Sequence, residues 1–272
     1  MNTEKKTVTL GVVGAAGRMG QRVIACAQQV PDLRVASAVD MPACPVLGVD
    51  AGLHAGCGAL GVAIGSDLAA VCTAADVMVD FALADGFAAR VECYAQHGVA
   101  CVLGATGVDA AGLAAVQRAA ARIAIVHAPN FSVGVNLLCA LTRHAAGVLR
   151  EAYDIEIIEM HHRNKKDAPS GTAVRLAEMV DEGRGTPLPR VHGREGLCGA
   201  RPSGELAIHA LRGGDVVGDH TVIFAGDGER IELTHKASTR DTFARGALHA
   251  ARFVAHAAPG AYSMADVLGL SL

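Results

Sequence analysis

The chain has 272 residues, 51% hydrophobic and 19% charged, with 24 Lys and Arg against 27 Asp and Glu for a formal net charge of -3. Such a composition can bury one large or two modest cores. It argues against a nucleic-acid binder, since no Lys or Arg occurs between Asp40 and Gly86, and 3% aromatics without Trp offer no stacking platform for bases or sugars.

In chain order, the first half alternates short β-rich runs with Ala-rich helical stretches, and each strand ends in Gly, Asp or Asn, which predicts parallel βαβ units. Strands are expected at Thr7–Val13, Arg34–Val39, Val77–Phe81, Val99–Leu103 and Ile123–His127. Helices fall between them at Arg18–Gln29, Gly86–His97 and Asp109–Arg122. From Asn130 the grammar changes: a helix over Val133–Leu149 leads to a strand at Ile155–Met160, a basic loop and a helix from Ala173. Three strands follow at Gly204–Leu211, Asp215–Ala225 and Arg230–His235. So little intervening helix predicts a separate, mixed or antiparallel sheet. Thr242–Ala257 is helical again and matches the first half in composition, so the second domain reads as an insertion. Asp181–Arg201, rich in Gly, Pro and Arg, is the expected mobile loop.

Thr7 to Gly20 is a strand followed at once by glycines at 14, 17 and 20 and then a helix, the context that a dinucleotide fingerprint requires. Glycine there lets backbone N–H groups approach a pyrophosphate and lets the helix pack close to the strand. Glycine-rich turns also serve packing alone, and the spacing is not the ordinary G-x-G-x-x-G. Asp40 favours the nucleotide reading, because it ends the second strand where an acid binds both hydroxyls of an adenosine ribose; its other reading is a turn residue. A 2′-phosphate would be repelled by Asp40, the next residue is Met41, and no cation follows until Arg90, so NADH is expected over NADPH. Arg18 is the cation left within reach of a 2′-phosphate. Gly104-Ala-Thr-Gly107 and Ala128-Pro-Asn-Phe-Ser132 follow the fourth and fifth strands, where parallel sheets bind ligands; both read equally as connecting turns, with Ser132 a cap.

The eight cysteines (26, 44, 57, 72, 93, 101, 139 and 198) form no C-x-x-C pair and lie mostly in apolar runs of a chain without a signal peptide, as reduced core residues of a cytoplasmic protein would. Ile123–Thr142 is free of formal charge, yet His127, Pro129, Asn130, Ser132 and Asn136 argue against a membrane span.

The stretch Glu159-Met-His-His-Arg-Asn-Lys-Lys-Asp-Ala-Pro-Ser-Gly-Thr-Ala173 is denser in basic groups than a core requires. It lies on a strand-to-helix loop. Ala168-Pro169 breaks regular structure and Ser170 is a cap, so the N–H groups of Gly171 and Thr172 suit an anion. Two imidazoles, two lysines and an arginine beside such a helix start suit a substrate that carries carboxylates and receives a proton; the alternative is a solvated charged loop. Lys165 is the leading proton donor, with Arg163 and Lys166 expected to lower its pKa, and His161 passes or accepts a proton. Either histidine also reads as a structural imidazole. No catalytic metal is expected, because adjacent histidines lack a spaced third ligand.

These residues resemble the 4-hydroxy-tetrahydrodipicolinate reductase (dihydrodipicolinate reductase) family of the diaminopimelate and lysine pathway. The likeness runs through Val12-x-Gly-x-x-Gly-Arg-Met-Gly20, Gly104-x-Thr-Gly107, Asn130-Phe-Ser-x-Gly-Val-Asn136, Glu159-x-His-His-Arg-x-Lys165, Asp167-Ala-Pro-Ser-Gly-Thr172, Gly218-Asp-His220 and His235-Lys-Ala-Ser238. The resemblance implies reduction of a cyclic dicarboxylate, with His161 as proton donor or acceptor and Lys165 as proton donor. His162, Ser170, Gly171 and Thr172 would contact the substrate, and Arg240 steers the dicarboxylate or caps a hinge. Gly14, Ala15, Ala16, Gly17, Arg18, Met19, Asp40, Gly104, Ala105, Thr106, Ala128, Pro129, Asn130 and Phe131 would hold NADH or NADPH. A cytoplasmic homotetramer, joined through the sheets of its substrate domains, is implied as well.

The chain departs from the family pattern in places. Met41 and Leu83 stand where some relatives carry arginines that favour the phosphorylated cofactor, and Ala105 replaces a threonine. Asn164 replaces a frequent His, leaving His161 to carry any imidazole role unaided. The expected fold is α/β: a Rossmann-like parallel-sheet domain, residues 1–130 with 241–272, and an inserted α+β mixed-sheet substrate and tetramerisation domain, residues 131–240. A redox sensor that binds NAD(H) without turnover needs no proton donors, which the loop around Lys165 supplies. A semialdehyde dehydrogenase needs an activated Cys, and Cys139 lies in an apolar helix with no evident base. Tyr94, Tyr153 and Tyr262 are followed four residues on by Gly98, Ile157 and Asp266, which excludes the Tyr-x-x-x-Lys dehydrogenases.

Overall fold

A computed structural model describes residues 7–270; residues 1–6 and 271–272 of the expected first domain lie outside the described residues. The chain divides into two compact units, one of residues up to 132 with 240–269 and one of residues 133–239.

In the first unit the elements run β1 (Val8–Val13), α1 (Arg18–Ala27), β2 (Leu33–Val39), α2 (Ala51–His54), β3 (Ile64–Gly65), α3 (Leu68–Thr73), β4 (Val77–Asp80), α4 (Phe87–Gln96), β5 (Ala100–Leu103), α5 (Ala110–Ala120) and β6 (Ala124–His127). The second unit contributes α6 (Val133–Leu149), β7 (Asp154–His161), α7 (Gly171–Arg184), β8 (Arg190–Val191), β9 (Leu206–Arg212), β10 (Gly218–Gly226) and β11 (Glu229–Ala237). Then α8 (Asp241–Val254), β12 (Gly260–Tyr262) and α9 (Met264–Leu268) return to the first unit.

The first unit is a seven-stranded sheet in the order β12-β6-β5-β4-β1-β2-β3, every pair parallel. Its strands are apolar on both faces, as a sheet covered twice must be. Leu10, Val12, Val77, Val79, Val102 and Val126 pack against Val23 and Ile24 of α1 and Ala247 and Leu248 of α8. The alternate residues Val13, Met78, Cys101, Leu103 and Ile125 pack against α3, α4 and α5 through Val71, Val91, Tyr94 and Val116.

The expected strands and helices of this half appear with ends moved by a few residues, but no element was expected between Asp40 and Val77. There α2, β3 and α3 are short, and one side chain organises the connection. The Asp50 carboxylate accepts from the N–H groups of Gly52, Leu53, Leu60, Gly61 and Val62, and the bonds from Leu53, Leu60, Gly61 and Gly52 hold its pKa low. A loop held by backbone bonds to one carboxylate leaves no hydrophobic period to read.

The second unit is a mixed five-stranded sheet, β11-β10-β7-β9-β8, antiparallel across β11, β10 and β7 and parallel from β7 to β8. Helices α6 and α7 cover one face, where Leu138, Ala146, Leu176, Ala177 and Val180 meet Ile155, Ile157, Ile208, Val222 and Phe224. The alternate residues of β7, Glu156, Ile158 and Met160, lie on the other face. The segment Asp181–Arg201, expected to be mobile, is tied down instead. Arg190 pairs with Asp181, Arg194 with Glu156 and Glu205, and Arg201 with Asp154 and Glu156, while β8 adds an edge strand. Its arginines act as clamps, so its polar composition does not mean a free loop.

The expectation that the cysteines are core residues holds for Cys26, Cys72 and Cys101. Cys44, Cys57, Cys93 and Cys139 are half-buried and Cys198 is exposed, and all eight are free thiols. Among the described residues no helix is long and apolar enough to cross a membrane.

The close packing of α1 on β1 depends on Gly20. A Cβ there would stand 2.2 Å from Gly14 O and 2.8 Å from Ala15 Cα, both backbone, whereas one on Gly17 would meet Gly14 O at 3.1 Å. Gly20→Ala is expected to lower stability by about 1–3 kcal/mol, read from urea unfolding, and Gly17→Ala by less. Equal midpoints for the two variants would contradict this packing.

Candidate active site

The first group of candidate residues surrounds the C-terminal edge of the parallel sheet. Gly14 takes φ 72, which turns the chain out of β1 at low cost for a residue without a side chain. The N–H groups of Gly14 and Ala15 both donate to Val39 O, that of Ala16 to Asp40 Oδ2 at 2.8 Å, and that of Gly17 to Gly14 O. The glycine turn is therefore wired to the end of β2. Ala15 is wholly buried, so its side chain faces the core and not a ligand. What remains for an anion is the start of α1, where Gly17 offers no side-chain cap to the first-turn N–H groups of Arg18, Met19 and Gly20.

Asp40 also accepts from its own neighbour, Met41 N, at 2.8 Å. Both of its oxygens are oriented by backbone, fixing an acid at the end of β2. Arg90, the next cation in sequence, is committed elsewhere: it donates to Asp80 Oδ2 at 2.8 Å and to the carbonyls of Asp85 and Leu83. Asp80, fully buried, also accepts from Ala82 N and Tyr94 Oη and anchors the β4–α4 turn.

Gly104 is needed because the Phe81 ring lies where its Cβ would be, at 2.2 Å. Phe81 in turn meets Phe131 edge to face, ring centroids 5.6 Å apart. Phe131 and Ala128 are buried, Pro129 is exposed, and Asn130 Oδ1 accepts from Ser132 N. Ala105 is buried and Thr106 exposed. His127, which ends β6 between these two turns, was not singled out from the sequence; burial lowers its pKa, against a backbone hydrogen bond involving Ala105. These turns, the glycine loop and Asp40 share the end of one sheet where parallel strands present ligand sites.

The second group belongs to the other unit and centres on Glu159. Alternation along β7 puts Ile155, Ile157, Glu159 and His161 on the helix-covered face, so a carboxylate with no solvent exposure sits in an apolar layer. Such a charge persists only if matched. Arg212, opposite His161 in the parallel β7–β9 register, donates to both Glu159 oxygens at 2.9 Å, His161 Nδ1 lies 2.6 Å from Oε2, and Ser170 N donates to Oε1 at 3.1 Å. Burial alone would raise the Glu159 carboxyl; the Arg212 and His161 hydrogen bonds outweigh it and hold the pKa low.

His161 does not stand alone. The antiparallel register sets His220 beside Glu159 and His235 beside His220, and the His161 and His220 rings meet at 5.1 Å. The imidazole role assigned to His161 unaided is thus set in a row of three rings, which only strand pairing reveals. His220 has its pKa lowered to about 4 by burial and then by the His161 charge, and burial lowers His235 as well.

Ser170 was expected to touch substrate, but it is buried: its Oγ caps Ala173 N and lies 3.1 Å from His220 Nε2. Its polar atoms are consumed in joining α7 to β7 and β10. His162 is half-exposed just past β7, and Gly171 is exposed with open space where a Cβ would be. Thr172 follows in the first turn of α7. Lys165 is partly buried with Nζ 2.9 Å from Asp167 Oδ1, so an acid lies beside it as well as the expected cations Arg163 and Lys166. Arg240 is exposed and belongs with the first unit, as the residue before α8, and is not grouped with this cluster. Cys139 has its thiol pushed up to about 11 by burial, which removes it as a nucleophile.

Comparison with known proteins agrees over both halves. Residues 8–131 match the family model described as dihydrodipicolinate reductase, N-terminus, and residues 134–268 match the one described as dihydrodipicolinate reductase, C-terminus. The 4-hydroxy-tetrahydrodipicolinate reductase of Anaeromyxobacter dehalogenans is 48% identical over 261 residues, 95% of this chain and 97% of that protein. The protein of the same name from Syntrophotalea carbinolica is 47% identical over 265 residues, 97% of this chain and 99% of that one. Among solved structures, the dipicolinate-bound dihydrodipicolinate reductase of Paenisporosarcina sp. TG-14 aligns with a TM-score of 0.76 at 25% identity, covering 94% of this chain and 97% of that chain. The chain belongs to the dihydrodipicolinate reductase family.

Proposed function

We propose that this chain reduces 4-hydroxy-tetrahydrodipicolinate (dihydrodipicolinate) to tetrahydrodipicolinate with a nicotinamide dinucleotide, a step of diaminopimelate and lysine biosynthesis. The observation that carries the reading is the end of β7, where a buried Glu159–His161 pair, Lys165 and the start of α7 fall within one short stretch of chain. That grouping offers a proton donor beside a helix start suited to carboxylate.

The cofactor fits the residues present: the uncapped start of α1 suits the pyrophosphate, the glycine turn leaves no room for side chains, and Asp40 suits a ribose diol. Arg18 and Met19, with the turns at Gly104–Thr106 and Ala128–Phe131, would complete its binding. When bound, the cofactor supplies the hydride. In the other unit His162, Gly171 and Thr172 hold the dicarboxylate, and Lys165 delivers the proton that balances the hydride, with the 4-hydroxyl leaving as water. Glu159 fixes the His161 ring through Nδ1, so that Nε2 is the nitrogen left for proton traffic. Ser170 positions the loop rather than binding substrate.

NADH is the preferred donor in this reading. Asp40 would face a 2′-phosphate, Met41 beside it is exposed and uncharged, and Arg90 is held by Asp80. A coupled assay with freshly generated substrate and each cofactor tests reaction and preference together. Turnover is expected with kcat/KM higher for NADH; no oxidation of either cofactor would remove the proposed reaction, and a preference of about tenfold or more for NADPH would defeat the charge argument.

The kinetic roles separate by variant. Lys165→Ala is expected to cut kcat roughly a hundredfold or more, and Glu159→Gln roughly tenfold to a hundredfold, both with little change in KM for the cofactor. Near-normal turnover in either would take that residue out of the mechanism.

The open face of the mixed sheet, with Ile158 37% and Leu211 44% exposed, suits self-association of the chain into a homotetramer. Light scattering is expected to give four chain masses; a monomer would rule this out.

A further inference from the structure

Cys72, Cys93 and His97 bring two thiol sulfurs and an imidazole nitrogen within 4.8 Å of one another, and the geometry points to a binding site for one thiophilic divalent cation of the zinc class. Among the described residues no other three His, Cys, Asp or Glu side chains converge as closely. The site lies wholly in the first unit and uses none of the residues assigned to cofactor or substrate.

Cys72 comes from α3 and is 1% exposed, while Cys93 lies in α4 and His97 just past its end. Residues four apart share one helix face, which sets Cys93 Sγ 3.7 Å from His97 Nδ1. Tetrahedral coordination at about 2.3 Å to sulfur and about 2.0 Å to nitrogen spaces the donors roughly 3.5–3.8 Å apart, so small side-chain rotations complete three positions. His97 is exposed and gives the entry side, where water completes the fourth. Thiolate with imidazole selects zinc-like over magnesium-like ions.

Thiolate ligation displaces the thiol protons, so capture strengthens as pH rises. His97 Nδ1 now lies 2.8 Å from Cys93 O, a hydrogen bond that metal capture through the same nitrogen replaces. Helices α3 and α4 end where β4 and β5 begin, at the opposite edge of the sheet from the Gly14 turn. A bound ion therefore clips α3 to α4 without touching the nucleotide end. The absence of a C-x-x-C pair hid this group, because its cysteines come from two helices.

Cadmium titration of the reduced, chelator-treated full chain tests the site, read by the ultraviolet thiolate-to-cadmium charge-transfer band and by the melting temperature. One ion per chain is expected, with a raised Tm, and magnesium should give neither effect. Cys93→Ser and His97→Ala should each weaken cadmium binding roughly tenfold to a hundredfold. Cys198→Ser, which removes the exposed thiol, should leave it unchanged. The ion-free melting temperature of the exposed-site variant His97→Ala checks that its fold is intact. The proposal is overturned if no cadmium binds, if the band is lost with Cys198→Ser, if His97→Ala binds as the parent does, or if a Cys72–Cys93 disulfide forms in place of the complex.

Discussion

A carboxylate buried in an apolar layer governs the second unit. Glu159 has no solvent exposure, and its charge is tolerable only because Arg212, His161 and the Ser170 N–H converge on it. Each partner comes from a different place: a parallel neighbour strand, the end of its own strand, and the loop that starts α7. Satisfying one charge therefore fixes the β7–β9 register, the His161 ring and the path of the chain into the helix. Replacing the group by an apolar side chain would relieve the burial and release all three, which ties the stability of this unit to its chemistry.

The first unit solves a similar problem with backbone. Its glycine turn is held by donation to Val39 O and Asp40 Oδ2, so the strand that carries the acid also shapes the loop that starts α1. The consequence is a division of labour. The turn's own N–H groups hold the turn, and the first-turn N–H groups of α1 are left without a side-chain cap. Asp40 is thus part of the scaffold, accepting from Ala16 N in the turn and from Met41 N beside it.

Much of this was legible in the sequence. Val and Ile runs ending in Gly or Asp, separated by Ala-rich helical segments, marked a parallel sheet, and the crowding of His, Lys and Arg after Glu159 marked a candidate site. The residues missed share one property: their roles depend on partners remote in sequence. Arg212 sits in a strand that reads only as alternating residues, and although His220 lies in the Gly218-Asp-His220 motif, nothing local shows that both face Glu159 and His161. Asp50 and the arginines of the Asp181–Arg201 segment looked like loop chemistry, since an ion pair or a backbone bond has no period.

The linear order of residues by itself determined the architecture, the family and the candidate residues of the two sites, because hydrophobic period, glycine spacing and clustered charge are local properties. Tertiary structure alone decided which polar groups are satisfied. It buried Ser170 as the cap of α7, gave His161 two companion rings, committed Arg90 to Asp80 and gathered Cys72, Cys93 and His97. The physical reason is range: a side chain's electrostatic surroundings are set by strand register and helix packing, which join residues that the sequence keeps far apart.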